Sequence, residues 1–183
     1  MFDERRTVTL SQQQHPIIRR NRYGAIGFEG AGNTIRALVQ GFSTGELWGA
    51  NGEIIREHNL DGRLTIVIPS IALEKAFVKA LANYVAVATG SLGLAPPFQV
   101  KMGVAGVENA LLSAPGGPLG GGQYLGPIFQ GEISHTAELH KIDDMLVRSI
   151  LRDFFIKIWD AAASSRAEIL TDEFVTAHDL PPR

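Results

Sequence analysis

At Pro69 the apolar pattern of this chain changes period. Upstream, Leu64-Thr65-Ile66-Val67-Ile68 is a β-branched run of strand character. Downstream, Leu73, Phe77, Ala80, Leu81, Tyr84 and Ala88 recur at spacings of three and four, which winds them onto one helical stripe. Lys75 and Lys79 fall on the other side. Ser70 is placed to cap the first turn, Gly93 to follow the last one, and Pro96-Pro97 to forbid continuation. A helix from Ser70 to about Leu92, entered directly from a strand, needs a sheet to bury its stripe, so the fold must be mixed.

The flanking residues read as that sheet. Tyr23 to Glu29 and Ile35 to Phe42 are strands, the second ending in a Ser43-Thr44-Gly45 hairpin loop. Glu46 to Ala50 returns, Asn51-Gly52 reads as a two-residue hairpin into Glu53–Glu57, and Asn59-Leu60-Asp61-Gly62 is a further turn. Phe98, Val100, Met102 and Val104 alternate onto one face of a half-buried strand, which Val107 to Leu112 extends or pairs with. Ile128 to Ile133 is a last short strand. A second helix runs from about Asp143 to Ala163, with Asp143 and Asp144 at its positive end. Leu146, Ile150, Leu151, Phe154, Ile158 and Trp159 form its buried face. The expectation is an α+β fold, a mainly antiparallel sheet packed against two long helices. It occupies residues 23–167, between an Arg-containing arm or linker (1–22) and a C-terminal tail (168–183).

Composition supports a packed core, with 45% hydrophobic and 20% charged residues. The absence of cysteine excludes disulfides, thiolate nucleophiles and Cys-ligated metals. No apolar run reaches the ~18–20 residues of a membrane helix, so no membrane is expected and a cytoplasmic location is. The charge, 17 − 19 = −2, makes no global cationic field. It is unevenly spread: Arg5, Arg6, Arg19, Arg20 and Arg22 against Asp3 and Glu4 give the arm +3, which leaves −5 elsewhere.

Three stretches invite a chemical reading. The Gly/Pro-rich loop 115–122 lacks the Gly-Lys-Ser/Thr ending of a phosphate loop, and its prolines remove donors that an anion would need. His135 and His140 lie beside Glu132 and Glu138, but five residues apart. On a helix that spacing puts the imidazoles roughly 140° apart, so a metal would require them in a loop, with further ligands. The five arginines of the arm could hold phosphates in a salt-sensitive way, although Trp48 and Tyr84 are not interleaved with them in sequence. Trp159 reads as a core anchor.

A further set of motifs occurs in order. Val39-Gln40-Gly41-Phe42-Ser43-Thr44-Gly45-Glu46-Leu47-Trp48 precedes Ile68-Pro69-Ser70 with Glu74. Leu92-Gly93-Leu94-Ala95-Pro96-Pro97-Phe98-Gln99-Val100 follows, and then Leu151-Arg152-Asp153-Phe154-Phe155-Ile156-Lys157-Ile158-Trp159-Asp160-Ala161-Ala162. Together they resemble the C-terminal region of bacterial proteins that begin with an Alba-type, Schlafen-like DNA-binding or ATP-binding domain. The resemblance covers about Ile35 to Ala163. It departs at Gly103-Val104-Ala105-Gly106-Val107, where that region carries Leu-Leu-Gly-Val, and Asp172-Glu173-Phe174 matches only part of its acidic, aromatic ending. It implies an Alba-type partner domain in cis or trans, and it transfers no catalytic residue and no cofactor.

The sequence therefore predicts a non-catalytic regulatory, ligand-sensing or protein-interaction domain accessory to a nucleic-acid-associated protein, able to form a homodimer through exposed strand edges. One alternative is a small metal- or histidine-dependent hydrolase or transferase using His135 and His140. Another is nucleic-acid binding through the arm.

Overall fold

The computed structural model describes residues 17–31, 34–115 and 122–165. In chain order these form β1 (Ile17–Asn21), β2 (Gly24–Ala31), β3 (Thr34–Phe42), β4 (Leu47–Asn51), β5 (Arg56–Leu60), β6 (Arg63–Pro69), α1 (Ser70–Ala86), β7 (Phe98–Ala105), β8 (Leu111–Ala114), β9 (Gln123–Leu125), β10 (Glu132–Leu139) and α2 (Asp144–Ala161). The fold is α+β. The expected single sheet is three: β1-β2-β3-β4, β5-β6-β8-β9, and the pair β7-β10. Every pairing among the described strands is antiparallel except β6 with β8.

Residues 23–167, read from the sequence as one domain, cluster into two units. The first comprises the β1–β4 sheet with residues 78–95; the second comprises residues 54–77 and 96–165 with the other two sheets and α2. Helix α1 contributes its first half to the second unit and its second half to the first.

β6 does run straight into α1 at Pro69. The helix continues as a π-helical turn, Val87–Ser91, in which Leu92 N–H donates to the Val87 carbonyl at 3.0 Å. Gly93 then takes φ 65°, and Leu94 N–H reaches back to the Ala88 carbonyl at 2.8 Å. The left-handed residue closes the helix as the sequence predicts.

Four local expectations are corrected. Ile17–Asn21, placed in the arm, is a strand paired with β2 from Ile17↔Phe28 to Asn21↔Gly24; two isoleucines within five residues were too short a pattern to show a period. Asn51-Gly52 makes no hairpin. The Asn51 side chain accepts from Glu53 N–H at 2.7 Å, Gly52 N–H donates to the Arg36 carbonyl at 2.8 Å, and β5 joins the other sheet. The two-residue turn is Asp61-Gly62, with φ 51° and 83°, the pair of positive values a type I′ hairpin requires. Residues 107–112 do not extend or pair with β7: Val107 and Ala110 are buried in the connection, and Leu111–Ala114 pairs with β6. Finally, His135 sits in a strand, because β10 is eight residues long and pairs with all of β7.

In the second unit, Ile68, Leu112, Ile128, Leu139, Leu151 and Phe154 are fully buried. Phe154 meets Phe77 edge-on at 4.7 Å and Phe155 at 5.8 Å. Helix α2 has the predicted apolar face, and its buried set also includes Val147 and Phe155.

Asp143 caps α2: its Oδ1 accepts from Leu146 N–H at 3.1 Å, and Lys141 pairs with its Oδ2 at 3.3 Å. The backbone hydrogen bond, followed by the Lys141 side chain, holds this carboxyl below the ordinary carboxylate range. A lowered folded-state pKa stabilises above the unfolded value and is lost as pH falls through the folded one. The thermal midpoint of the wild type should therefore drop on acidification below about pH 4 more steeply than that of Asp143→Asn, which keeps the acceptor without the charge. Parallel midpoint–pH curves would remove Asp143 from the acid response.

Candidate functional site

The register of the first sheet brings together residues that are far apart in sequence. Arg19 faces Ile26, Ile26 faces Gln40, and Gln40 faces Trp48. These pairs form one row across all four strands, and paired residues share a face. Phe28, Leu38 and Ala50 form the next row on that face, and Asn21, Gly24 and Phe42 lie on its other side. Side chains two apart along a strand return to the same face, so the face carries Arg19, Asn21, Ile26, Phe28, Leu38, Gln40, Phe42 and Trp48.

Its polar groups are ordered. Asn21 Nδ2 donates to Gln40 Oε1 at 3.1 Å, while Gln40 Nε2 donates to the Gly41 carbonyl at 3.1 Å, which satisfies a buried amide. Trp48 packs edge-on against Phe42 at 5.7 Å, donates through Nε1 to Glu46 at 3.1 Å, and is 56% exposed. Ile26, Phe28, Leu38 and Phe42 are only half-buried. The Arg19 guanidinium lies 6.0 Å from the centre of the Phe28 ring. That of Arg22 lies 4.5 Å over Tyr23 and also contacts its hydroxyl; Tyr23 is 50% exposed. Arg20 alternates to the opposite face. Arg5 and Arg6 lie outside the described residues. Strand register brings Arg19 to Phe28 and into one row with Trp48, whereas Arg22 and Tyr23 are adjacent in the sequence itself.

The two histidines are not brought together. His135 lies opposite Met102 on the face of β10 that also carries Ile133, Ala137 and Leu139, and both its ring nitrogens are buried without a hydrogen-bond partner. His140 follows the end of β10 and is exposed. Among the described residues no group of three His, Asp or Glu side chains is placed to hold a metal. His135 is fixed in a paired strand and not in a loop, so the loop geometry that a metal needed is not formed. Of the Gly-rich loop 115–122, residues 116–121 lie outside the described residues.

A buried polar cluster lies in the second unit. Ser70 starts α1 but does not cap it: its Oγ is buried with no hydrogen-bond partner. One turn on, Glu74 is 3% exposed and accepts from Trp159 Nε1 at 3.2 Å. The depression bounded by Ser70, Leu73, Glu74, Leu112, Phe155, Ile158 and Trp159 has no room for a water molecule. The cluster thus anchors Trp159, as the sequence predicts, through a bond to a carboxylate that it did not. The signal was available: Glu74 falls three residues before Phe77 and seven before Leu81, on the stripe itself. Tyr84, another stripe residue, has a buried hydroxyl without a partner, and burial pushes its pKa up.

No helix among the described residues is long and apolar enough to cross a membrane. No family model, curated protein or solved structure matches the chain.

Proposed function

We propose that the chain is a non-catalytic interaction module, accessory to a nucleic-acid-associated partner domain, which assembles with a second copy of itself through the free edge of its first sheet. The observation that carries this reading is β4. Leu47-Trp48-Gly49-Ala50-Asn51 pairs with β3 on one side and with no described strand on the other. Trp48, Gly49 and Ala50 are exposed, and the strand has no charged residue or proline. Sheet edges left open are normally blunted by lysine, proline or a bulge, because unpaired backbone groups recruit another strand. β4 has none of these devices. Antiparallel pairing of two β4 strands about a twofold axis would produce one eight-stranded sheet whose equivalent faces lie on the same side. The partner domain itself is a proposal supported by the ordered motifs of the Alba-type, Schlafen-like C-terminal region.

Sedimentation velocity over a concentration series tests the assembly. The wild type should be dimeric by about 100 μM, the weak end of specific association. Ala50→Lys, which places a charge on the edge at an exposed position, should be monomeric there with an unchanged far-UV spectrum. A wild type that stays monomeric, or an Ala50→Lys variant that dimerises equally well, overturns the reading.

A further inference from the structure

The segment that forms the first sheet has a positive charge that the whole chain lacks, although Arg20 within it lies on the opposite face. Residues 17–51 carry Arg19, Arg20, Arg22 and Arg36 against Glu29 and Glu46, 4 − 2 = +2, in a protein of net charge −2. Arg36 is paired with Glu53 at 3.4 Å. Arg19, Arg20 and Arg22 make no ion pair within the described residues. Arg19 and Arg22 instead stack on rings. Arg22 directs one N–H at the Tyr23 hydroxyl and keeps its other N–H groups available, Arg19 keeps its whole N–H edge, and the neighbouring rings limit the rotamers of both. That arrangement suits a phosphate oxygen, which the fork can bind in the plane while the stack is retained. Two half-exposed aromatic side chains accompany these cations: Tyr23 under Arg22, and Trp48 at the far end of the row that begins with Arg19. Glu46 holds the Trp48 indole through its N–H, so little side-chain freedom is lost when something stacks on the ring.

We propose that this face, together with the Arg22-Tyr23 turn at its end, binds single-stranded nucleic acid, with bases stacking on Trp48 and Tyr23 and phosphates held by Arg19 and Arg22. The chemistry discriminates. Unpaired bases offer a π-face to each ring, whereas a duplex buries those faces and would present only phosphates. An acidic peptide would satisfy the arginines and leave Trp48 unused. The proposal goes beyond the assembly reading: Trp48 lies on β4, but it acts here through its side chain on the sheet face and not through the backbone edge, so each can fail without the other.

The test is fluorescence anisotropy of the full chain with fluorescein-labelled oligo-dT and oligo-U of about 20 nucleotides, long enough to span an ordinary single-strand site. Binding should quench Trp emission and weaken with salt, by about 0.7 in log–log slope for each phosphate neutralised. The double variant Arg19→Gln/Arg22→Gln should shrink that slope by roughly 1.4. Trp48→Ala should weaken binding about tenfold, and Trp48→Phe should restore most of it, because stacking needs a ring and not an indole. Far-UV spectra identical to wild type certify the fold of each variant. No binding at 50 mM salt (roughly the condition that favours it most) overturns the proposal. So does equal affinity for duplex or for poly-glutamate, or binding that ignores the Trp48 and Arg variants and disappears when residues 1–16 are removed. Oligonucleotide binding by a wild type that stays monomeric would leave this proposal standing alone, whereas a dimeric wild type that binds no oligonucleotide would leave only the assembly reading.

Discussion

Replacing Phe154 with alanine should lower the unfolding free energy by about 3–5 kcal/mol, the range for emptying a large aromatic from a packed core. The side chain is fully buried, and its ring meets both Phe77 and Phe155. Three effects add at this position: the transfer of the ring from water, the two aromatic contacts, and the cavity that remains. A total of this size is a large fraction of an ordinary domain's stability. Urea denaturation followed by near-UV dichroism should show the loss as a shifted midpoint, and Phe154→Leu should recover much of it by refilling the volume. A midpoint moved by less than about 1 kcal/mol equivalent would mean that α2 is not held by this cluster.

Gly24→Ala should be comparably damaging in the first unit, for a backbone reason. Gly24 has φ 149°, which side chains rarely adopt, and a Cβ built there would lie 2.0 Å from the Gly41 carbonyl oxygen. The clash is with backbone of the paired strand, since Gly24 faces Phe42 in the register, so no rotamer change relieves it. Relief requires the β1–β2 turn to move, at a cost of about 2–4 kcal/mol. Amide hydrogen exchange checks this: protection should fall across β1 and the start of β2 while α2 is unaffected. Gly62→Ala is the control, because Gly62 also has positive φ (83°) but nothing within 4 Å of a built Cβ. If both substitutions reduced protection equally, conformation and not contact would be the cause.

The parts of the fold readable from sequence were those with a long single period. Helix α1 and its Gly93 ending, α2 with its buried face, and the Phe98–Val104 alternation all emerge from spacing. Partnership was not readable, because pairing joins residues with no sequence relationship. Asn51-Gly52 has the composition of a hairpin turn, yet Asn51 uses its side chain locally and the next strand leaves for another sheet. Asp61-Gly62, an equally good turn dipeptide, does close its hairpin, with Leu60 opposite Arg63. Composition alone does not separate the two. The same limit governed the candidate site. Arg19 and Trp48 are 29 positions apart (48 − 19) and share a row only through two intervening strands. His135 and His140 are near neighbours in sequence, but His135 lies within β10 and His140 follows its end, exposed. Glu74 was missed for another reason: a lone carboxylate on an apolar stripe reads as an exception until Trp159 supplies its donor.

Neither unit is a continuous stretch of chain. Residues 54–77 of the second fall between the two segments of the first, and residues 78–95 return to the first before the second is resumed. On a ribosome, β6 emerges some forty residues before its parallel neighbour β8 (Val67 pairs with Leu111), and the wait leaves an apolar strand flank without its mate during synthesis. The described residues of the first unit are all in place by residue 95, while the second still waits for residues 96 onward. Nascent chains halted near residue 95 should need a holdase that finished chains do without.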